Sequence, residues 1–429
     1  MGLGLPLYGQ YAGPAILSRG EAPSGMVQPQ VSFRPFLEVS GTYSTGLATV
    51  AVNETGQLAN AASIGTALIW GVSGTHTWRR DQIGLDYRGS VMHYARRTYY
   101  DSINQSLLLG YTHQFSRHIK LSLRQAAGSQ SRDNGLSGLQ ATVPFDPTNS
   151  YLPKTDFFDN RTTYLSTQGD LIIQKTARLS FLAGGDFFAN RRRSAALQGL
   201  TAQGARGDAQ YRLTRRTTVG ANYNYYRYAY TGVAGTTDIH SINGTYAVGI
   251  TRGLEFSTSA GFVRAESKFI QTTAVDPVVA AILGISSSPQ IVHSIFSRPN
   301  VMARLARTMR AGVLFVAAAN RVVPGNGLFL TSYSTSVSGG YAYTGLRRWS
   351  FSAQAMRDSS LSFTTVEGRY GSTSAAATMS RQFWGSMHVV LSYSARKYGS
   401  SDFTGYRRTV QEGRFGLGFT PGDIPLRLW

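Results

Sequence analysis

The sequence predicts an all-β fold, a closed antiparallel transmembrane β-barrel. Apolar and polar residues alternate in many short segments, for example around Phe315 and Ala317 and around Phe351 and Ala353. Alternation of this kind gives a strand one apolar and one polar face. The longest apolar run, 311–319, is too short to cross a membrane as a helix. When every strand has one apolar face, closure into a barrel lets the apolar faces meet lipid outside and the polar faces meet water inside.

The composition agrees with this fold. Hydrophobic residues make up 42% of the chain, which is too polar for a bundle of membrane helices, and aromatic residues make up 12%. Barrels carry aromatic girdles where the wall meets the two membrane surfaces. The chain has no Cys, so thiol catalysis and disulfides are excluded, and the chain suits an oxidising compartment. We find no composition break that would divide the barrel into domains.

Turns containing Arg or Lys recur between strand-like segments. They centre on 79–80, 117, 175–178, 215–216, 252, 307–310, 347–348 and Arg381. With a first strand near 33–47 and a last near 406–419, these turns imply about 18 strands, with 16 as the alternative. Bacterial barrels place their short turns in the periplasm. The basic turns should therefore be periplasmic and the longer loops extracellular.

Three segments lie outside the predicted strands. Residues 1–30 are rich in Gly and Pro and predict a periplasmic arm or a plug, followed by the barrel at 31–429. Residues 1–10 lack the pattern of an export signal, so we expect a mature or trimmed chain. Two long loops are predicted at 131–160 and 272–290, the second with a short helix at 278–285. Each could narrow the pore or cover its mouth.

No enzymatic site is predicted. The seven His residues are dispersed and have no metal-binding spacing, and no phosphate loop or nucleophile motif is present. His240 and Ser241 are adjacent, and adjacent strand residues point to opposite faces, so they cannot share a proton in a catalytic pair. We therefore predict no catalytic residue, no metal and no cofactor.

Charged residues mark the predicted inner face of the wall. If the apolar face meets lipid, with Leu107, Leu109, Phe181, Phe315, Phe351 and Leu391 outside, the opposite face carries mostly basic groups. An anion-preferring channel and a wall held together by Arg–carboxylate ladders are the two interpretations. The predicted pore-lining residues are Arg88, Lys120, Arg124, Arg178, Arg206, Arg212, Asp86, Asp186 and Asp208.

The formal net charge of +20 bears on partners. In a soluble protein it would suggest nucleic-acid binding. Here the basic residues lie at turns and strand ends instead of in one patch, so nucleic acid is not predicted. Anionic lipids or anionic solutes are the expected counterparts.

From about Val31 to its end the chain resembles an outer-membrane β-barrel of the porin-like class. The last strand alternates Phe415, Leu417 and Phe419, and the terminal residue is Trp429, like the aromatic end that barrel-assembly machinery reads in that class. The resemblance implies a bacterial outer-membrane location, contact with lipid and lipopolysaccharide, and passive diffusion of small hydrophilic solutes. The basic excess on the inner face predicts that these solutes are anionic. Homo-oligomerisation stays open. The alternatives are a structural or assembly barrel that binds partner proteins and, third, a hydrophobic-substrate transporter with an amino-terminal hatch.

Overall fold

The computed structural model describes residues 31–52, 58–95, 101–130, 161–193, 197–231, 235–274, 287–324, 330–343, 345–346, 348–362, 368–400 and 408–421. No helix in these ranges is long and apolar enough to cross a membrane. They form 18 β-strands: β1 (Val31–Val52), β2 (Leu58–Thr77), β3 (Asp81–Tyr94), β4 (Ser102–Ser116), β5 (Ile119–Gln130), β6 (Thr162–Gln174), β7 (Leu179–Arg192), β8 (Gly199–Arg212), β9 (Thr217–Thr231), β10 (Gly235–Thr251), β11 (Leu254–Ala274), β12 (Ser287–Met309), β13 (Gly312–Val323), β14 (Ser332–Tyr343), β15 (Trp349–Ser362), β16 (Gly368–Trp384), β17 (Met387–Ser400) and β18 (Arg408–Phe419).

The strands close into one barrel. Each strand pairs with the next in the chain, and β1 pairs with both β2 and β18 in a single sheet. The closing ladder is antiparallel and runs from Leu37 opposite Phe419 to Ser44 opposite Glu412. Closure removes the sheet edges and pairs the backbone groups inside the wall, as a membrane requires. The predicted fold class and the larger of the two strand numbers are confirmed.

Eight short turns lie at one end of the barrel, together with the start of β1 and the end of β18. We call this end the short-turn rim. Its described turn residues are 78–80, 117–118, 175–178, 213–216, 252–253, 310–311, 345–346 with 348, and 385–386. Seven of the predicted turns coincide with them.

The turn predicted at Arg381 is wrong. Arg381 lies inside β16 and pairs with Val389 of β17, and the turn is formed by 385–386. Gly385 has φ 47°, a left-handed conformation that glycine adopts without steric cost. The position of this glycine, and not that of the basic residue, sets the end of the hairpin.

The second predicted long loop is shorter than 272–290. Strand β11 continues to Ala274 and β12 begins at Ser287, and the two strands pair through Ile270 and Ile291. Alternation with β-branched residues extends the hairpin past the predicted boundary. The predicted helix at 278–285, the loop 131–160, the segment 1–30 and Trp429 lie outside the described residues.

The outer face of the wall is apolar. Ile64, Ile242 and Phe262 have exposed fractions of 68%, 63% and 69%, whereas their chain neighbours Ser241 and Val263 are buried. Large apolar side chains in this arrangement form the lipid-contacting band of a membrane barrel. Phe181 and Leu391 are also exposed, and the register places Leu107, Leu109 and Phe351 on the same outer face.

Phe315 does not face outward as predicted. Its neighbours Leu314 and Val316 are exposed by 42% and 50%, whereas Phe315 pairs with Gly340 on the inner side. The Phe315 ring fills the space beside that glycine, since Cε1 lies 2.6 Å from where a Cβ of residue 340 would be. Both alternating sets of residues are apolar in this part of β13, so the pattern could not decide which set faces lipid.

Candidate site on the inner wall

Two adjacent rows of inward-facing residues cross β5 to β9 at mid-height. The register aligns Arg124, Gln168, Asp186, Gly204 and Tyr226 in the first row. The second row, one step nearer the short-turn rim, consists of Ser122, Asp170, Gly184, Arg206 and Asn224. Each row contains one glycine, and each glycine stands between residues that interact across it.

Arg206 is the centre of an ionic network in these rows. Its Nε donates to Asp170 Oδ1 at 2.9 Å, and its Nη2 donates to the same oxygen. Its Nη1 lies 3.3 Å from Asp186 Oδ1. One guanidinium therefore bridges two carboxylates that come from different strands. Charge-assisted contacts of this kind are the stronger hydrogen bonds of proteins.

Neutral side chains complete the network. Gln168 donates its Nε2 to Asp170 Oδ2 at 3.0 Å, and the Tyr226 hydroxyl donates to Asp186 Oδ2 at 3.2 Å. The Arg206, Asp170 and Asp186 side chains have exposed fractions of 13%, 15% and 7%. Buried charges are tolerated when their hydrogen-bonding groups are satisfied. The network is therefore part of the structure of the wall.

The two glycines make the network possible. Gly184 lies directly between Asp170 and Arg206, and a Cβ there would stand 2.3 Å from Asp170 Oδ1 and 2.9 Å from Arg206 Nε. Gly204 lies between Asp186 and Tyr226, and a Cβ there would stand 2.3 Å from the Tyr226 ring. The missing side chains on β7 and β8 let long residues meet across an intervening strand.

A second ion pair lies on β3. Arg88 Nε donates to Asp86 Oδ1 at 2.8 Å and Nη2 donates to Oδ2 at 3.2 Å. The Arg88 guanidinium carbon also lies 5.5 Å from the centre of the Phe36 ring, within cation–π range. Because this pair is bidentate, most of the charge of Arg88 is compensated locally.

The remaining predicted pore-lining residues differ in their surroundings. Lys120 and Arg124 lie on the inner face of β5, and neither forms an ion pair within the described part of the chain. Asp208 and Arg212 lie on the inner face of β8. Arg178 is not on a strand; it is exposed in the turn 175–178.

An apolar cluster that was not predicted lies on the inner face near the other end of the barrel, opposite the short-turn rim. Tyr164, Phe188, Tyr228, Ile239 and Phe269 belong to this cluster and are buried. It is continuous with a hydroxyl network in which Tyr230 and Thr237 both contact Thr331 Oγ1, at 2.7 and 2.9 Å. Tyr226, Tyr228 and Tyr230 share one face of β9, and this alternation is the sequence feature that could have indicated the cluster.

Within the described ranges, no group of three or more His, Cys, Asp or Glu residues could hold a metal ion. The inner wall instead offers fixed charges, amides and hydroxyls. Such groups can attract, repel and hydrate a passing solute.

No protein-family model and no curated protein matches this chain. Among solved structures it is similar to Pseudomonas aeruginosa OccK5 (OpdH), with 14% identity over 92% of this chain and 99% of that one and a TM-score of 0.44. It is also similar to P. aeruginosa OccK2 (OpdF) in complex with glucuronate, with 10% identity, coverage of 93% and 100%, and a TM-score of 0.42. The E. coli K12 ferric-catecholate import receptor Fiu gives 10% identity, coverage of 92% and 82%, and a TM-score of 0.44. Similarity at this level does not indicate a shared substrate.

The fold itself is distinctive. An even number of antiparallel strands, complete closure, short turns at one end and an apolar outer face are the features of bacterial outer-membrane barrels. Other β architectures leave edges or apolar surface that a soluble protein must cover. The chain therefore has the fold of the outer-membrane β-barrels of the porin-like class.

Proposed function

We propose that the protein is an outer-membrane channel for passive diffusion of small hydrophilic solutes. The observation that carries the proposal is water access to the inner wall. Ser352 and Gln354 share the inner face of β15 and are exposed, and Lys120 is exposed on the inner face of β5. Inner-face residues of a closed barrel can be exposed only to its lumen or to its mouth.

The charge balance of the inner wall supports a preference for anions. Arg88 is paired with Asp86, and Arg206 with Asp170 and Asp186. These contacts compensate part of the positive charge of the predicted pore-lining residues. Lys120 and Arg124 remain as inner-face cations that form no ion pair in the described part of the chain. Fixed charges in a confined pore act over about a Debye length, roughly 8 Å at physiological salt, so two such cations should bias permeation.

Single-channel recording of the purified protein in a planar bilayer tests the proposal. Discrete conductance steps should appear, and the reversal potential in a potassium chloride gradient should have the sign for chloride. Steps with a cation-selective reversal potential would contradict the anion preference and leave the channel intact. The absence of conductance from protein shown to be folded would contradict the channel itself.

The buried apolar cluster favours one second candidate, a structural or assembly barrel that conducts little. It fills the inner face of β6 to β11 near the end opposite the short-turn rim, where a wide pore would be lined with hydrated groups. Conductance decides between the two functions, because the structural barrel predicts none.

A further inference from the structure

The short-turn rim is strongly basic. Its described turns carry Arg79, Arg80, Arg117, Lys175, Arg178, Arg215, Arg216, Arg252, Arg310 and Arg348, all of them exposed. The same described turn segments contain no Asp or Glu. Asp81 begins β3 directly beside this rim and is the nearest carboxylate along the chain to Arg79 and Arg80. The rim therefore forms a ring of positive charge around one mouth of the barrel.

Large apolar side chains are exposed next to these cations. Trp78, Phe115 and Leu213, which precede the cations of their turns, have exposed fractions of 47%, 52% and 49%. Leu346 and Trp384 are exposed in the same way at two further turns, by 52% and 79%. On the outer wall close by, the Arg381 guanidinium lies 4.9 Å from the centre of the Trp349 ring. Cations alone would be sufficient to bind an acidic soluble protein. Exposed aromatic residues beside cations are instead typical of the boundary between lipid headgroups and acyl chains.

We propose that the short-turn rim binds the phosphate groups of anionic phospholipids in the periplasmic leaflet. The cations meet the phosphates and the neighbouring Trp, Phe and Leu side chains enter the acyl region. Attraction between basic residues and an anionic lipid surface adds up over several side chains and weakens with salt. The positive ring thus holds the barrel in the leaflet at a fixed height.

The β2–β3 turn offers the most defined site. Trp78, Arg79, Arg80, Asp81 and Tyr111 line an open depression of about 530 Å³. The only carboxylate among the described residues that line it is already engaged, because Asp81 Oδ1 accepts a hydrogen bond from the Tyr111 hydroxyl at 2.7 Å and lies 2.6 Å from His113 Nδ1. The two guanidinium groups are therefore the groups left to receive a phosphate.

Native mass spectrometry of the folded protein tests this proposal. The protein is extracted from vesicles containing equal amounts of phosphatidylcholine and phosphatidylglycerol, and the lipid that stays bound is identified. Wild type should retain phosphatidylglycerol preferentially. Retention should fall by roughly fivefold or more in R79Q/R80Q, from the attraction expected for each cation near an anionic surface. R79K/R80K, which keeps both charges, should retain the lipid.

The matched control is R191Q/R193Q, which removes two exposed cations at the end of β7 away from the short-turn rim. It should retain phosphatidylglycerol as wild type does. An equal loss in the control would show that net charge and not the rim binds the lipid, and would overturn the proposal. Displacement of the lipid by soluble glycerophosphoglycerol at the same concentration would also overturn it, since the site would then bind free anions. Lipid retention does not depend on conductance, so the lipid-binding proposal and the channel proposal can be contradicted independently.

Discussion

Arg206 on β8 donates a hydrogen bond from Nε to Asp170 on β6 at 2.9 Å, across the whole width of β7. Residues on alternate strands are normally separated by the side chain between them. Here the residue between them in the register is Gly184. The ion pair therefore depends on a position that carries no charge.

Gly184→Ala should destabilise the barrel without altering any ionisable group. The new methyl group would stand 2.3 Å from Asp170 Oδ1, so the ion pair must separate or the strands must move. Overpacking of this kind costs about 1 to 3 kcal/mol. The free energy of unfolding in denaturant, measured from a vesicle-inserted sample, should fall by that amount.

Gly110→Ala is the control for that experiment. Gly110 lies on the inner face of β4 opposite Arg124, and a Cβ there meets nothing within 4 Å. Its stability should stay close to that of wild type. Equal losses in the two variants would show that inward glycines are needed for strand curvature in general and not for the ionic network.

Arg206→Met should be more harmful than removal of all three charges. It leaves Asp170 and Asp186, with exposed fractions of 15% and 7%, without their cation. Breaking a buried pair in this way costs about 3 to 5 kcal/mol. The triple variant R206M/D170N/D186N leaves no uncompensated charge and should recover part of the lost free energy of unfolding. A triple variant less stable than Arg206→Met would contradict this account.

K120Q/R124Q should reduce the anion preference of the pore. These two inner-face cations form no ion pair in the described part of the chain, so their charge should act on solutes directly. The anion-to-cation permeability ratio should fall by roughly twofold or more, and the effect should shrink at high salt. R264Q/K268Q, which removes two cations from the outer face, should leave this ratio unchanged. An equal fall of the ratio in R264Q/K268Q would show that the selectivity does not depend on charges in the lumen.

The sequence was sufficient for the features that repeat along the chain. The strand number and the basic turns follow from hairpins that recur, and inward charges such as Asp86 and Arg206 follow from the cost of placing a charge against lipid. The glycine gaps at Gly184 and Gly204 could not be predicted, because they depend on which residues of three strands share a row. Phe315 was assigned to the wrong face because both faces of that segment are apolar.

Val316→Arg should impair folding into vesicles more than Phe315→Arg. Val316 is 50% exposed on the outer face, well inside β13, so an Arg there enters the hydrocarbon. The cost is about 2 to 4 kcal/mol near the bilayer midplane. Phe315 faces inward toward Gly340, where an Arg side chain can extend into the lumen. The yield of folded protein, read from the mobility difference between unheated and heated samples, checks the order; the reverse order would show that β13 faces the other way.

Cysteine labelling should assign the two ends of the barrel to the two sides of the outer membrane. The chain has no Cys, so a single introduced residue reports on its own position. Arg216 lies in the β8–β9 turn at the short-turn rim, and Arg193 follows β7 at the other end; both are exposed. Because short turns are periplasmic in bacterial barrels, Arg193→Cys should react with a membrane-impermeant maleimide in intact cells and Arg216→Cys should not. Both variants should react after lysis, which controls for accessibility. Labelling of Arg216→Cys alone in intact cells would show the opposite orientation of the barrel. The basic ring would then lie on the cell surface, where it could not meet the periplasmic leaflet.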